Sequence, residues 1–340
     1  MFDPMTSLCR RTLGALLATT VLVAALPATA QEFVARIGHL ESTQQSRHVA
    51  LEKVAAEVKE KTNGAVEFQI FPQSQLGDQR QMTEGVQLGT LEATVSPAAF
   101  LGGFNPVISV LDIPYLMPQD RAKAQALRES AFGQALLDSF TSRGVVALTL
   151  WPNGFKSFTS NKPLPDLAAF ADQKFRVMDS KILIEQFNAL GASAIALPFG
   201  ELYTSLQTGV VDGQENPLDT IQNMKFNEVQ KYMVVSEHGA MEDVVLFNPT
   251  WWDGLPQDYR DVITTAFKDA IPELQAHKDA AGVAALEEIG KGAIEIRTAS
   301  AEERAAMHDL MYPLARAAYE ERAGDEGKAV IAIYEAEIAK

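Results

Sequence analysis

Strand and helix signals alternate along the first third of the chain. A short apolar strand at residues 33–39 precedes a helix at about residues 44–61, in which apolar residues recur at helical spacing. The alternation continues with a strand at 66–71, a helix at 79–88 and a strand at 93–96. Because parallel strands need a crossover connection that is usually a helix, this βαβαβ order predicts an α/β fold with a parallel sheet.

The rest of the chain adds more elements of both kinds. Four strands are predicted at residues 145–151, 174–177, 192–197 and 244–248, with helices at 180–190 and 201–208. Residues 258–291 and 300–340 have a helical pattern, interrupted by a short strand at 293–297. With 340 residues, of which 47% are hydrophobic, the chain is long enough for two domains with a core each.

The amino terminus resembles a secretory signal peptide. Arg10 and Arg11 precede an apolar stretch at residues 13–26, and Ala28-Thr29-Ala30 forms a small-residue cleavage site. This stretch is shorter than the roughly 20 residues that a spanning helix needs, and no later stretch is longer. We therefore predict a signal peptide at residues 1–30 and a mature protein that is not embedded in a membrane. The arginine pair leaves twin-arginine export open, although ordinary secretion fits the following residues better.

The charge and the motifs exclude several classes of function. A formal net charge of −15 argues against a nucleic-acid partner. The signatures of nucleotide-binding proteins, hydrolases and zinc proteases are absent from the sequence. The five histidines have no spacing that suggests a metal site on one helix face. We expect neither an enzyme nor a cofactor or metal site.

The most specific motif lies between Lys174 and Pro217. It contains KFRV at 174–177, GELY at 200–203 and LQTGVVDGQENP at 206–217. Arg176 lies on the apolar strand of this segment, and an arginine offers a rigid, permanently charged fork that suits a carboxylate. The segment resembles the solute-binding subunits of TRAP transporters, and the similarity extends over essentially the whole mature chain.

The resemblance implies a fold, a compartment and a partner. Members of that family are periplasmic proteins with two α/β lobes, a ligand cleft between them and a long bracing helix near the carboxyl end. Here one lobe is expected at residues 31–152 plus about 241–281, and the other at 153–240 plus about 282–340 with the carboxy-terminal helices. The strands that cross between lobes are expected near Pro152 and Ala240. Cleft closure around a small carboxylate ligand and delivery to the TRAP membrane permease subunits are the implied activity.

The resemblance also implies site residues in the second lobe. Arg176 matches the carboxylate-clamping arginine of the family, and Asn216 matches a binding-site asparagine whose amide can donate to the same carboxylate. Lys156 stands where four-carbon dicarboxylate members carry a lysine and sialic-acid members carry an arginine. Phe199 matches an aromatic residue that lies against the solute. A surface ion pair for Arg176, a turn role for Asn216 and a core role for Phe199 are the plainer alternatives.

Four further positions are predicted at the cleft. Trp151 is expected to line it at the crossing strand, and His39 lies beside the position where sialic-acid members place an asparagine. Gln79 occupies a position that is acidic in those members, which argues against sialic acid. Asp179 would repel an acid unless the ligand also offers hydroxyl or amine donors, or unless it points away and pairs with Lys181.

Three ligand hypotheses follow from these positions. Lys156 and the segment after Ser180 favour a four-carbon dicarboxylate such as succinate, malate or fumarate. Asp179 and the segment from His39 to Arg47 favour another acid, such as a uronate, a sugar acid or a 2-oxo acid. An unrelated periplasmic enzyme is the third and most distant alternative.

Overall fold

The computed structural model describes residues 32–340. The predicted signal peptide at residues 1–30 lies outside this range. None of the helices in the described range is long and apolar enough to cross a membrane.

Ten strands of the described residues form one mixed sheet. The strands are β1 (Phe33–Gly38), β2 (Val66–Phe71), β3 (Ala93–Pro97), β4 (Val146–Ser160), β5 (Lys174–Val177), β6 (Ser193–Ala196), β7 (Gly213–Pro217), β8 (Tyr232–Val235), β9 (Ala240–Phe247) and β10 (Glu295–Thr298). Their order is β2-β1-β3-β9-β4-β7-β5-β6, and β8 pairs with both β4 and β10. The strands of the βαβαβ segment are parallel, as predicted, whereas β4 and β9 run antiparallel to their neighbours.

Eleven helices surround this sheet in the described residues. They are α1 (Ser46–Lys61), α2 (Gln79–Leu88), α3 (Arg121–Glu129), α4 (Ala131–Asp138), α5 (Lys181–Ala189), α6 (Leu202–Gln207), α7 (Leu218–Asn223), α8 (Pro249–Asp253), α9 (Gln257–Asp269), α10 (Ile271–Ile289) and α11 (Ala301–Ile338). Short 3₁₀ turns, including Ala98–Phe100, Pro106–Asp112 and Phe199–Glu201, connect them.

Strand β4 belongs to both halves of the sheet. Its residues 146–155 pair with β9, and its residues 156–160 pair with β7, so the partner changes at one point along the strand. The register is irregular between Pro152 and Phe155, where Gly154 has a φ of +90° that few other residues adopt. We call β2, β1, β3, β9 and residues 146–155 of β4 the first half-sheet, and the remaining strands the second half-sheet. The predicted lobe boundaries stay a prediction.

The predicted strand at 145–151 was too short. β4 continues through Pro152 to Ser160, because the irregular pairing after Pro152 tolerates a residue that has no N–H donor. The sequence analysis also missed β7 and β8. Strand β7 reads Gly-Gln-Glu-Asn-Pro, a polar sequence, yet all five residues are buried because their polar side chains find partners in the interior.

Helix α11 braces the molecule. Its Tyr319 hydroxyl donates to the carbonyl of Val107 at 3.1 Å, and its Tyr334 hydroxyl donates to the carbonyl of Leu116 at 2.7 Å. Gly324 has non-helical dihedral angles and divides the helix into two segments. The predicted α/β class and the long carboxy-terminal helix are therefore confirmed.

Candidate functional site

A cavity lies between the two half-sheets. Its walls come from the loops after β1, β3, β5 and β6, from strands β4, β7 and β9, and from helices α1 and α7. The cavity therefore lies where parallel strands end at their carboxyl ends, the usual ligand position in α/β folds. The cavity volume is only about 20 Å³, and it is about 290 Å³ when the surrounding space that opens to solvent is included. We call it the central cavity. It is lined by Leu40, Glu41, Arg47, Pro97, Phe100, Asn153, Met178, Phe199, Asn216, Thr220 and Met241.

Arg176 is a buried cation behind the wall of the central cavity and is not among the residues that line it. It lies on β5 between apolar neighbours, and only 1% of it is exposed. Its Nε and Nη2 atoms donate to the carbonyl of Leu197 at 3.0 and 2.8 Å, which holds the guanidinium in one orientation. Nη1 has no hydrogen-bond partner, and the guanidinium no ion pair, within residues 32–340. Burial lowers the pKa of Arg176 to about 10, while Glu215 acts in the opposite direction. The side chain remains charged at neutral pH.

Two aromatic rings connect Arg176 to the central cavity. The guanidinium carbon lies 5.7 Å from the ring centre of Phe100 and 5.9 Å from that of Phe199. Both rings line the cavity, and Phe199 is 9% exposed. The predicted position of Phe199 beside the ligand space agrees with this placement, and its contact with a ligand stays a prediction.

Asn216 lines the same cavity from β7. Its Nδ2 donates to Gln214 Oε1, and Gln214 in turn donates to Thr159 Oγ1 at 2.9 Å. An amide nitrogen carries two N–H donors, so one remains for a ligand. The structure therefore brings Asn216 and Phe199 to one wall, with Arg176 behind the aromatic rings.

Lys156 has a partner inside the protein. Its ammonium is 2.7 Å from Glu215 Oε1, and both side chains are buried. Glu215 Oε2 accepts hydrogen bonds from His238 Nε2 and Gln186 Nε2, each at 2.6 Å. Although burial raises the pKa of Glu215, Lys156 and His238 lower it to about 2. Lys156 is absent from the residues that line the central cavity. A second-carboxylate role for Lys156 stays a prediction, and it would require the lysine to exchange this partner.

His39 is a neutral histidine below the cavity wall. Its Nδ1 accepts a hydrogen bond from the backbone N–H of Glu41 at 3.2 Å, so the proton of the neutral ring is on Nε2, which lies 3.1 Å from His48 Nδ1. Burial and the charge of Arg47 lower the pKa of His39 to about 3. The ring is fully buried and supports Leu40 and Glu41 rather than lining the central cavity.

Gln79 and Asp179 lie at a neighbouring cavity. This side cavity shares Leu40, Phe100 and Phe199 with the central cavity. Gln79 is buried and donates to Thr94 Oγ1 at 3.2 Å, while its Oε1 atom has no hydrogen-bond partner in the described chain. Within residues 32–340 no ion pair joins Asp179 to Lys181, so the alternative in which Asp179 points away and pairs with Lys181 is not found.

The predicted place of Trp151 at the cleft is wrong. The indole is fully buried in the core of the first half-sheet, where its ring centre lies 5.3 Å from that of Phe267. Its Nε1 donates to the carbonyl of Phe267 at 2.8 Å. A large aromatic side chain on a strand buried on both faces is stabilised by packing against the covering helix, which here is α9.

Several residues of the central cavity were not predicted from the sequence, among them Arg47 and Asn153. Arg47, in the first turn of α1, and Asn153, on β4, both line the central cavity and are each 2% exposed. The sequence did indicate that this region differs, because the segment from His39 to Arg47 is unlike that of dicarboxylate-binding family members. It did not single out Arg47, whose neighbours in space come from distant parts of the chain.

Buried charges link the two walls of the cavity. Arg47 pairs with Asp243 on β9 at 2.8 Å and with Glu41 at 3.4 Å. Lys278 on α10 lies 2.6 Å from Asp219 of α7 and 3.7 Å from Glu41. Glu41 therefore contacts both Arg47, which approaches the cavity from the first half-sheet, and Lys278, which pairs with Asp219 of α7 on the side of the second half-sheet. Such contacts between the walls stabilise a closed arrangement.

Asp112, beside the Lys156–Glu215 pair, provides a test by pH. Burial raises the pKa of Asp112 to about 7, although Ser180 donates a hydrogen bond to it at 2.6 Å. The folded protein therefore binds this proton more tightly than the unfolded chain, in which the pKa is about 4. The stability that results is fully present below pH 4 and is lost as the pH rises through 7. Asparagine does not titrate, so the variant does not lose this contribution. We expect the free energy of unfolding of Asp112→Asn minus that of the unmodified protein to rise by up to about 4 kcal/mol from pH 4 to pH 8. Urea unfolding across this range measures the difference.

The control for this measurement is Asp258→Asn, which changes an exposed carboxylate at the start of α9. It shows how the removal of an exposed carboxylate changes the pH dependence of unfolding. A stability difference for Asp112→Asn that stays constant across this pH range would contradict the assignment.

Comparisons with known proteins give the following matches. The model of the family "Bacterial extracellular solute-binding protein, family 7" matches residues 37–322. The chain is 34% identical over 325 residues to the C4-dicarboxylate-binding periplasmic protein DctP of Rhodobacter capsulatus, covering 90% of this chain and 93% of that protein.

Two crystal structures of TRAP periplasmic solute-binding proteins are also similar. One, from Desulfovibrio salexigens with bound orotic acid, has 64% identity and a TM-score of 0.90 over 90% of this chain and 99% of that one. The other, from Sulfurospirillum deleyianum with bound succinate, has 31% identity and a TM-score of 0.81 over 89% of this chain and 99% of that one.

Proposed function

The chain belongs to the family of bacterial extracellular solute-binding proteins, family 7, and from this premise we propose that it captures a small organic acid through Arg176 and Asn216. Members of this family are transporter solute-binding proteins and not enzymes, and TRAP members work with permease subunits. The observation that carries the proposal is the buried guanidinium of Arg176, which has a free Nη1 and no carboxylate partner in the described chain.

The energetics of Arg176 favour an anionic ligand. An isolated buried charge is unfavourable unless a counter-charge and hydrogen bonds compensate it. The Leu197 carbonyl uses two of the guanidinium donors, and although Glu215 attracts the guanidinium, no carboxylate of the described chain forms an ion pair with it. A ligand carboxylate that accepts from Nη1, with the free N–H of Asn216 as a second donor, supplies the missing partner. A neutral analogue of the same shape leaves the guanidinium of Arg176 without a counter-charge.

Closure follows from the placement of the binding groups. Asn216 and Phe199 approach the cavity from the second half-sheet, whereas Arg47 and Asn153 approach it from the first. A ligand that contacts both walls binds the closed arrangement more tightly than an open one, so binding shifts the population toward closure. We propose that export through the predicted signal peptide places the protein in the periplasm, and that the closed form delivers the acid to TRAP permease subunits.

A ring-shaped carboxylic acid such as orotate is the ligand we propose first. The 64% identical protein holds orotic acid, and the apolar residues of the central cavity wall include Phe100, Phe199 and Met178. The four-carbon dicarboxylates are the second candidate, supported by the DctP relative and the succinate complex. Against them, Lys156 is paired with Glu215 and would have to exchange this partner to bind a second carboxylate. A uronate, sugar acid or 2-oxo acid would draw on Asp179 and Gln79 of the side cavity.

A thermal-shift screen of the refolded, ligand-free protein tests the proposal. The panel contains orotate, succinate, malate, fumarate, galacturonate, pyruvate and a neutral sugar. A ligand at 100 times its dissociation constant should stabilise the folded protein by about 2.7 kcal/mol. We expect the largest shift with orotate. A shift only with the four-carbon acids would move the assignment to the dicarboxylates, and no shift with any acid would contradict capture by Arg176.

A further inference from the structure

Two polar atoms in the wall of the central cavity have no partner. They are Nη1 of Arg47 and Oδ1 of Asn153, both buried and without a hydrogen bond in the part of the chain that the structure describes. Both residues line the central cavity. One atom is a donor and the other an acceptor. Buried polar groups are nearly always hydrogen-bonded, so an unpaired donor and acceptor in a cavity wall indicate groups that a ligand satisfies.

Asp243 holds both side chains in position. Its Oδ1 accepts from Arg47 Nη2 at 2.8 Å and from Asn153 Nδ2 at 2.9 Å, and its Oδ2 accepts from Arg47 Nε at 2.8 Å. One carboxylate oxygen therefore receives both head groups, which places them side by side. The carboxylate also fixes the amide orientation, because only the nitrogen of Asn153 can donate to it. Oδ1 of Asn153 is consequently the atom left for the cavity.

We infer that Arg47 and Asn153 determine ligand specificity by recognising an acceptor next to an N–H donor on the bound acid, at the end away from its carboxylate. This inference rests on the proposed function, in which Arg176 and Asn216 hold the carboxylate. A cyclic amide or imide edge presents a carbonyl beside an N–H and complements the two free atoms. Orotate has such an edge on the side of the ring opposite its carboxylate.

The same pair of atoms disfavours a dicarboxylate. A second ionised carboxylate offers acceptors only, so it satisfies Nη1 of Arg47 but leaves Oδ1 of Asn153 facing another acceptor. Sites built to hydrogen-bond a ligand group reject analogues that lack it, because the buried groups of the site then stay unpaired. The apolar side chains of Phe100, Phe199 and Met178 in the cavity wall add a preference for an apolar ring face over a chain of hydroxyl groups.

Calorimetry of the full mature chain with three probes tests the inference without any mutation. Orotate carries the carboxylate and the amide edge, benzoate carries the carboxylate alone, and uracil carries the edge alone. We expect orotate to bind at least about 10- to 100-fold more tightly than either of the others. Benzoate binding equal to orotate would overturn the specificity role and leave the carboxylate clamp standing. Uracil binding equal to orotate would instead overturn the clamp.

Two variants and a matched control locate the effect. Asn153→Leu removes the acceptor, and Arg47→Lys keeps a charge beside Asp243 while removing the fork. Each should reduce orotate affinity about 10-fold or more and leave benzoate affinity nearly unchanged. Arg128→Lys is the control, since Arg128 makes a similar two-bond pair with buried Glu242 but does not line the central cavity. Unchanged orotate affinity in both variants would overturn the inference. If either variant fails to fold, the three-probe comparison decides.

Discussion

Arg176→Met is expected to weaken binding of the captured acid by about 30- to 5,000-fold, because removing one partner of a buried charge pair costs about 2–5 kcal/mol. The guanidinium is 1% exposed and hydrogen-bonded only to the Leu197 carbonyl in the described range, so its removal deprives a bound carboxylate of a buried charged partner. Calorimetry with orotate measures the loss. The ligand-free variant should remain folded, since the substitution also removes an unpaired buried charge.

Two further variants separate binding from folding in this experiment. Arg176→Lys keeps the charge but loses the fork, so we expect an intermediate affinity. Arg128→Met removes a buried arginine that pairs with Glu242 away from the central cavity, and it should lower the melting temperature without changing affinity. Near-normal affinity in Arg176→Met would contradict the clamp and, with it, the proposed function.

Local signals were sufficient to predict much of the fold. The first three strands and the first two helices lie within two residues of their predicted bounds, because each has a clear apolar period and turn residues at its ends. Strand β7 was missed because its residues are polar, and polar strands become buried only when distant side chains satisfy them. The extension of β4 was missed because Pro152 ordinarily ends a strand.

The candidate site was predictable only in part, for a related reason. Arg176 was identified from its own segment, since a charged residue between Phe175 and Val177 is visible locally and the segment resembles that of a known family. The pairing of Lys156 with Glu215 joins residues 59 apart, and that of Arg47 with Asp243 joins residues 196 apart. A single sequence carries no signal for such pairs. Trp151 was misplaced because whether a strand residue faces the core or the cleft depends on the register with β9, which the fold as a whole determines.

Glu215→Gln is expected to destabilise the folded protein by about 3–5 kcal/mol at pH 7, since it leaves the buried ammonium of Lys156 without a counter-charge. The pKa of Glu215 is lowered to about 2 in the folded protein, below its ordinary value. The stability that this carboxylate contributes is therefore present above about pH 4.5 and lost as the pH falls toward 2. The difference between the two proteins in urea unfolding should shrink over that range.

A second substitution distinguishes an ion pair inside the protein from a ligand clamp. Adding Lys156→Met to Glu215→Gln removes the unpaired cation, so the double variant should recover part of the lost stability. If Lys156 only pairs with Glu215 and does not contact the ligand, the double variant also keeps most of its affinity for orotate and for succinate, because Arg176 and Asn216 are unchanged. A selective loss of succinate binding would instead make Lys156 the second clamp. The dicarboxylates would then be the better ligand assignment, because a lysine that exchanges Glu215 for a ligand supplies the cation that a second carboxylate needs.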